Sequence, residues 1–217
     1  METVKHTSAE IEAELYVRYP KLESCRDQIR KAFGILSSMH EQGGMLYIAG
    51  NGGSAADSLH IAGELVKSFR FKRVLNDADR ERLMSISPEH GAELGKALEY
   101  GIPAVSMCGM PGASTAIAND IGGKFVFAQI AYGMMRPQDV YLGISTSGNS
   151  ENVVLGAVAA RAKSARCIAL AGARECRLDK CCDAVIHVPE TETFKIQELH
   201  LPVYHALCAM LEAKIFA

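Results

Sequence analysis

Twice in this chain a short apolar run ends in a turn rich in glycine and hydroxyl residues and passes at once into a helix-patterned segment. The first unit is Met45 to Ala49, the turn Gly50-Asn51-Gly52-Gly53-Ser54, and helical spacing of apolar residues from Ala55 to Phe69. The second is Val140 to Ile144, the turn Ser145-Thr146-Ser147-Gly148-Asn149-Ser150, and a helical stretch from Glu151 to Lys163. Further strands are expected at Ile102–Met107, Cys167–Ala171 and Ala184–Val188, with helices at Ser114–Asn119, Lys124–Tyr132 and Thr193–Ala217. Strands alternating with helices through short turns indicate an α/β fold with a parallel, doubly wound sheet covered on both faces. In such folds ligands bind outside the carboxyl ends of the strands, where both turns fall.

Two regions stand outside the repeat. Residues 1–43 read as N-terminal helices, with Ser8 to about His40 broken at Tyr19-Pro20. Residues 71–101 read as an inserted helical segment with short helices at Asp77–Met84 and Pro88–Glu99. With 217 residues, 48% of them hydrophobic, the chain can bury one substantial core, so 1–217 is taken as a single domain. A net charge of -2, with Lys and Arg spread along the chain, argues against a nucleic-acid or membrane-surface partner. Met1 to Glu12 is mostly polar and resembles neither a signal peptide nor a span, which points to the cytoplasm. Seven cysteines, an odd count, read as reduced thiols. Cys176, Cys181 and Cys182 cluster as C-x4-C-C, which is not the paired C-x2-C spacing of structural zinc, so a loop with incidental thiols is the better reading.

The turn Ser145–Ser150 sets four hydroxyl side chains between a buried strand and a helix N-terminus. The partial positive charge and free amides of that terminus favour an anion such as phosphate, whereas a plain helix cap needs one hydroxyl. Gly50–Ser54 holds the same position after the first strand. It lacks a P-loop lysine and the full G-x-G-x-x-G pattern, so no nucleotide cofactor is expected. His60 and Glu64 are four apart on one helix and share a face. Gln197 and His205, eight apart on the last helix, lie roughly 80° apart around its axis on one broad face. His200 should point elsewhere.

The segments G-N-G-G-S-A-A-D-S-x-H-x-x-x-E (Gly50 to Glu64), A-N-D (Ala118 to Asp120), G-I-S-T-S-G-N-S-x-N (Gly143 to Asn152) and I-Q-E-x-H-x-x-x-x-H (Ile196 to His205) resemble the phosphoheptose isomerase family of the sugar-isomerase (SIS) superfamily. The likeness runs from about Met45 to the C-terminus, apart from the insertion. It implies a three-layer, five-stranded flavodoxin-like SIS fold. It also implies a homotetramer with active sites at subunit interfaces, and isomerisation of sedoheptulose 7-phosphate to D-glycero-D-manno-heptose 7-phosphate. Carried over by residue, it implies phosphate contacts from Ser54, Ser145, Thr146, Ser147 and Ser150, and places Asn51, Gly52, Gly53, Asn119, Asp120 and Gln197 at the substrate. It implies a zinc ion among His60, Glu64, Gln197 and His205, with Glu64 and His205 as the proton-transfer pair.

Moving a carbonyl between C2 and C1 needs a base for a carbon-bound proton, an acid for oxygen and stabilisation of an enediolate, which fits those roles. Four departures from the family pattern bear on sugar preference: Met110 before Pro111 in place of an Asp, Phe194 three before Gln197, the insertion, and Lys67-Ser68-Phe69-Arg70 after the catalytic Glu, where Lys67 or Arg70 is expected to supply a charge. A rival reading is a non-catalytic regulator that binds a sugar phosphate or a replication-initiator protein. Retention of Glu64 and His205 favours the enzyme. A glutamine-dependent sugar isomerase is disfavoured, since the length leaves no room for a glutamine-hydrolysing domain.

Overall fold

The computed structural model describes residues 6–217, so the sequence reading of Met1–Lys5 lies outside it. In chain order the elements are α1 (Ser8–Arg18), α2 (Arg26–Glu41), β1 (Leu46–Gly50), α3 (Gly53–Val66), α4 (Asp77–Ile86), α5 (Pro88–Ala97) and β2 (Ala104–Ser106). They continue with α6 (Pro111–Ile117), α7 (Val126–Met134), β3 (Val140–Ile144), α8 (Glu151–Ala162), β4 (Arg166–Ala171), β5 (Ala184–His187) and α9 (Thr193–Phe216). A tight 3-10 turn over Pro20–Cys25 separates α1 from α2, because Pro20 has no N–H with which to continue the first helix. Thr7 and Glu10 close the start of α1 with reciprocal bonds of 3.2 and 2.7 Å.

All five strands pair in parallel in the order β2-β1-β3-β4-β5. This is a three-layer α/β fold with a five-stranded, all-parallel sheet. Alternation along each strand decides the layers. Leu46, Ile48, Leu142, Ile144, Ile168, Leu170 and Ile186 face a core shared with α1, α2, α3 and α9. Tyr47, Ala49, Tyr141, Cys167, Ala169 and Val185 face the opposite core, shared with α7 and α8. The strand order reverses between β1 and β3, which opens a crevice at their carboxyl ends. Among the described residues no helix is long and apolar enough to cross a membrane.

Several boundaries move from the sequence expectation for local reasons. β2 is an edge strand of three residues, since Pro103 offers no ladder donor and Ser106 turns the chain by accepting the Cys108 N–H at 3.2 Å. Pro111 starts α6 three residues early, and Ala118–Gly122 continues it as a π-helical turn. The inserted segment is a hairpin of α4 and α5, closed at its base by an antiparallel bridge between Val74 and Glu99. Its helices touch at Gly91, where a Cβ would stand 2.3 Å from the Leu83 carbonyl oxygen.

The insertion is anchored by a buried ion pair. Arg73 and Glu212 have fully buried side chains, with Nε 2.8 Å from Oε1. The pair is also a hub for backbone groups. Arg73 donates to the carbonyls of Leu65 (2.7 Å) and Glu64 (3.3 Å), which the end of α3 leaves without helical partners. Glu212 accepts from the N–H groups of Phe69 and Arg70, both at 2.8 Å. The last turn of α3, the start of the insertion and the last turns of α9 are thereby fixed together.

Removing one charge leaves the other buried and uncompensated, so Glu212→Leu is expected to cost about 3–5 kcal/mol in urea unfolding. The double change with Arg73→Met should stay well below wild type, because the Glu64 carbonyl and the Phe69 and Arg70 N–H groups lose their partners as well, while the Leu65 carbonyl keeps the Ile102 N–H. Near-wild-type stability of either variant would show that this hub does not hold the elements together.

Candidate functional site

The first half of the site is the pair of turns at the β1/β3 crevice. Gly52 holds φ +54°, a conformation that costs glycine little, and leads directly into α3. Gly148, at φ +63°, lets the second turn close against Cys176, whose Sγ would lie 2.2 Å from any Cβ there. Ser145 and Ser150 share a hydroxyl–hydroxyl bond of 3.0 Å, and Asn149 donates its N–H to Ser147 Oγ at 3.2 Å. Ser150 is the N-cap residue of α8, yet its hydroxyl does not cap the helix, and Gly52 cannot cap α3. Two helix N-termini therefore present amide groups to the same crevice, an arrangement suited to an anion. Asn51 and Asn152 join the turns through reciprocal amide bonds of 2.9 and 2.8 Å. A cavity of about 190 Å³ lies over the second turn, lined in part by Thr146, Ser147, Asn149, Arg174, Thr193 and Ile196.

Ser54 is buried at the first turn of α3. Gln197 packs its amide against Gly53, where a Cβ would stand 2.5 Å from Nε2. Asn119 and Asp120 sit in the exposed π-helical turn and bond to each other at 2.7 Å. Arg174, which the sequence reading passed over, lines the cavity with an exposed side chain. A cation three residues beyond β4 was the available signal.

The second half lies where α3 and α9 pack side by side. His60 Nε2 is 3.2 Å from Glu64 Oε1 and 3.5 Å from His205 Nε2. His60 Nδ1 is 3.0 Å from the Tyr204 hydroxyl, and that hydroxyl donates to Asp57 Oδ1 at 3.2 Å. Since the phenol proton is directed at Asp57, the Tyr204 oxygen receives the Nδ1 proton of His60. His60 Nε2 then carries its lone pair toward Glu64 and His205. Burial, then the Asp57 charge, raises the Tyr204 phenol well above its ordinary value and keeps it a donor. Asp57 and Tyr204 thus orient the ring; neither was singled out from sequence, and their 147-residue separation gives no signal.

Burial first, then the neighbouring His60, lowers the His205 pKa, so its imidazole is neutral at neutral pH. Lys67 Nζ approaches Glu64 Oε2 at 3.5 Å, while Arg70 lines a second cavity of about 320 Å³ with His205, α1 and Phe69. Ile196 borders the first cavity and His205 the second, so the two lie about 13 Å apart along α9. Within one chain the hydroxyl turn does not floor the cavity that His205 lines. Met110 packs against the Tyr141 core, and Phe194 stands exposed at the start of α9.

His60 stands between Glu64 and His205, at 3.2 and 3.5 Å, with its Nε2 lone pair turned toward both. This donor chemistry fits a zinc ion, and the Tyr204–Asp57 chain supplies the outer hydrogen bond that zinc-binding histidines require. Gln197, held at Gly53 two turns before His60, does not join the three in this conformation. His200 is fully buried and turned away, with Nε2 3.4 Å from the Ala171 carbonyl.

Models of the SIS domain match residues 19–101 and 116–213. The first segment supplies β1 and the second β3, β4 and β5, all in one continuous sheet. The chain is 35% identical to a phosphoheptose isomerase from Burkholderia pseudomallei (strain K96243), over 87% of this chain and 82% of that one. A phosphoheptose isomerase structure from Neisseria gonorrhoeae superposes with a TM-score of 0.71 at 28% identity, covering 92% of this chain and 94% of the other. One from Francisella tularensis gives 0.70 at 25% identity, covering 94% and 92%.

Burial lowers the pKa of His200 to about 4, and its Nδ1 has no partner among the described residues. The unfolded chain therefore binds a proton that the folded chain refuses between about 6.5 and 4, and this part of the stability is full above 6.5 and lost as pH falls. Urea unfolding should show a loss of about 2 kcal/mol from this group between pH 7 and pH 5. His200→Gln should remove that slope; an unchanged slope would assign it to other groups.

Proposed function

Because the chain belongs to the phosphoheptose isomerase family of SIS-domain proteins, we propose that it interconverts the ketose and aldose forms of a sugar phosphate, with sedoheptulose 7-phosphate and D-glycero-D-manno-heptose 7-phosphate as the first pair to test. The observation that carries the reading is the contact of Glu64, His60 and His205 across α3 and α9, with the His60 tautomer set by Tyr204.

The phosphate takes the crevice formed by Ser145, Thr146, Ser147 and Ser150 with the N-termini of α3 and α8, and Ser54, Asn51, Gly52 and Gly53 form its other wall. Gln197 and the Asn119–Asp120 turn are assigned to the sugar. Glu64 removes a proton from C1, and the released pair forms the C1–C2 double bond as charge moves to the C2 oxygen. His205, neutral at the outset, accepts the O1 proton and passes one to O2. Glu64 then returns its proton to C2, which leaves an aldehyde at C1 and restores both side chains. Zinc held by His60, Glu64 and His205, with Gln197 as a fourth donor after a side-chain movement, would polarise the carbonyl oxygen as a Lewis acid.

The open side of the site supports assembly as a homotetramer. His60 is 43% exposed, and Leu59, Val66 and Leu201 stand exposed on the same two helices. A second copy brought to that face would join the two cavities around one extended substrate. A small anionic metabolite and a chain without a membrane-crossing helix among its described residues support action in the cytoplasm.

With sedoheptulose 7-phosphate as substrate and aldose formation followed directly, Glu64→Gln should lower kcat by about 10²–10⁴ and leave KM within a few-fold. Ser145→Ala with Ser147→Ala should act mainly on KM. Full activity in Glu64→Gln would place the base elsewhere, and no turnover of any ketose phosphate together with tight binding to a protein partner would favour a regulator.

A further inference from the structure

The loop after β4 and the end of β5 bring together three metal-binding side chains that the isomerase reading does not use. Cys176, Asp179 and His187 each present a donor atom, and the three atoms lie within 4.8 Å of one another. His187 Nδ1 is 2.7 Å from the Gly172 carbonyl oxygen, which only accepts, so this nitrogen carries the ring proton. Its Nε2 lone pair then faces Asp179 Oδ1 at 2.7 Å. Two acceptors this close require a positive charge at that point, either a second ring proton or a metal cation. Asp179 is itself held in place, because its Oδ2 accepts the Cys176 N–H at 2.7 Å.

The third donor favours a metal. Cys176 and Asp179 are held beside each other by a capping box, in which each side chain accepts the other's backbone N–H, and thiolate, imidazole and carboxylate form a borderline-soft set that suits zinc and its tetrahedral analogue cobalt(II) rather than magnesium or calcium. The outer bonds are those of a built metal site: the Gly172 carbonyl fixes the imidazole tautomer, and a backbone N–H orients the carboxylate. Donors on one zinc ion stand about 3.3–3.6 Å apart, so the His187–Asp179 contact opens slightly and the thiol closes by at most about 1.3 Å.

We propose that Cys176, Asp179 and His187 form a zinc site distinct from the His60–Glu64–His205 cluster, placed behind the hydroxyl turn. On binding, the Cys176 thiol releases its proton to solvent and the thiolate, Nε2 and Oδ1 take three positions of a tetrahedron. The site is tied to the turn at four points. Cys176 packs on Gly148, the Leu178 N–H reaches the Gly148 carbonyl (3.3 Å), the Arg177 N–H reaches Asn149 Oδ1 (2.9 Å), and the Gly172 N–H reaches the Thr146 carbonyl (3.0 Å). A metal here braces the phosphate-binding turn from behind while taking no part in proton transfer.

Cobalt(II) titration of the full-length protein separates the two sites, because His60, Glu64 and His205 offer no sulfur. Saturation is expected to produce a near-ultraviolet thiolate-to-cobalt charge-transfer band at one cobalt per chain. The band should be lost in Cys176→Ser, appear only at tenfold or higher cobalt concentration in His187→Gln, and persist in Cys181→Ser and Cys182→Ser. Circular dichroism of each variant checks that it is folded. Absence of the band in the wild-type protein would overturn the proposal without any variant, as would a band that survives Cys176→Ser.

Discussion

The Arg73–Glu212 pair sets the frame of α3 and α9, the two helices that carry Glu64 and His205. Two opposite charges sealed from water attract strongly, but burying them is costly unless every remaining donor and acceptor is matched. Here the surplus bonds go to backbone groups at the end of α3 and in the segment that follows. The Glu64 carbonyl is among them, so the residue assigned as base is held by its own main chain to the helix that carries His205. Arg73 lies at the start of the inserted segment, next to the Val74–Glu99 bridge, which makes the hairpin part of the clamp on α3 and α9 rather than a loop added to a finished fold.

With that clamp in place, the sheet topology fixes the rest. Parallel strands point their carboxyl ends to one side, and the reversal of order between β1 and β3 directs α3 and α8 into one crevice from neighbouring strands. Both helices start without a side-chain cap, since Gly52 has no side chain and the Ser150 hydroxyl turns to Ser145 instead. Ser54 and Ala55 give their N–H groups to the carbonyls of Asn51 and Gly52, and Val153 gives its own to Asn152 Oδ1, so the two helix ends are satisfied in part by local bonds and otherwise suit an anion. The glycine and hydroxyl turns and the His60–Glu64–His205 group thus lie toward opposite ends of α3. One end is shaped by glycine and serine, the other by a tyrosine that sets the tautomer of a histidine.

The two strand–turn–helix units, the five strands and the break at Tyr19-Pro20 were all legible in the chain, because each depends on local pattern. The short β2, the early start of α6 and the π-helical Ala118–Gly122 were missed by a few residues, since proline placement outweighed apolar spacing there. Cysteine spacing alone gives Cys176 no partner, because C-x4-C-C does not match a metal pattern. Its neighbours in space are Asp179, one turn on, and His187, at the end of the next strand.

Sequence alone determined the fold class, the positions of both hydroxyl and glycine turns, and the pairing of His60 with Glu64, because these follow from periodicities of two and 3.6 residues and from residues a few places apart. Only the tertiary structure decided that Tyr204 and Asp57 orient His60, that Arg73 meets Glu212, that Gln197 lies against Gly53, and that a thiol, a carboxylate and an imidazole converge behind the hydroxyl turn Ser145–Ser150. Each of these depends on how helices and strand ends dock, and docking is settled by burial and charge matching across the whole chain, which no local pattern records.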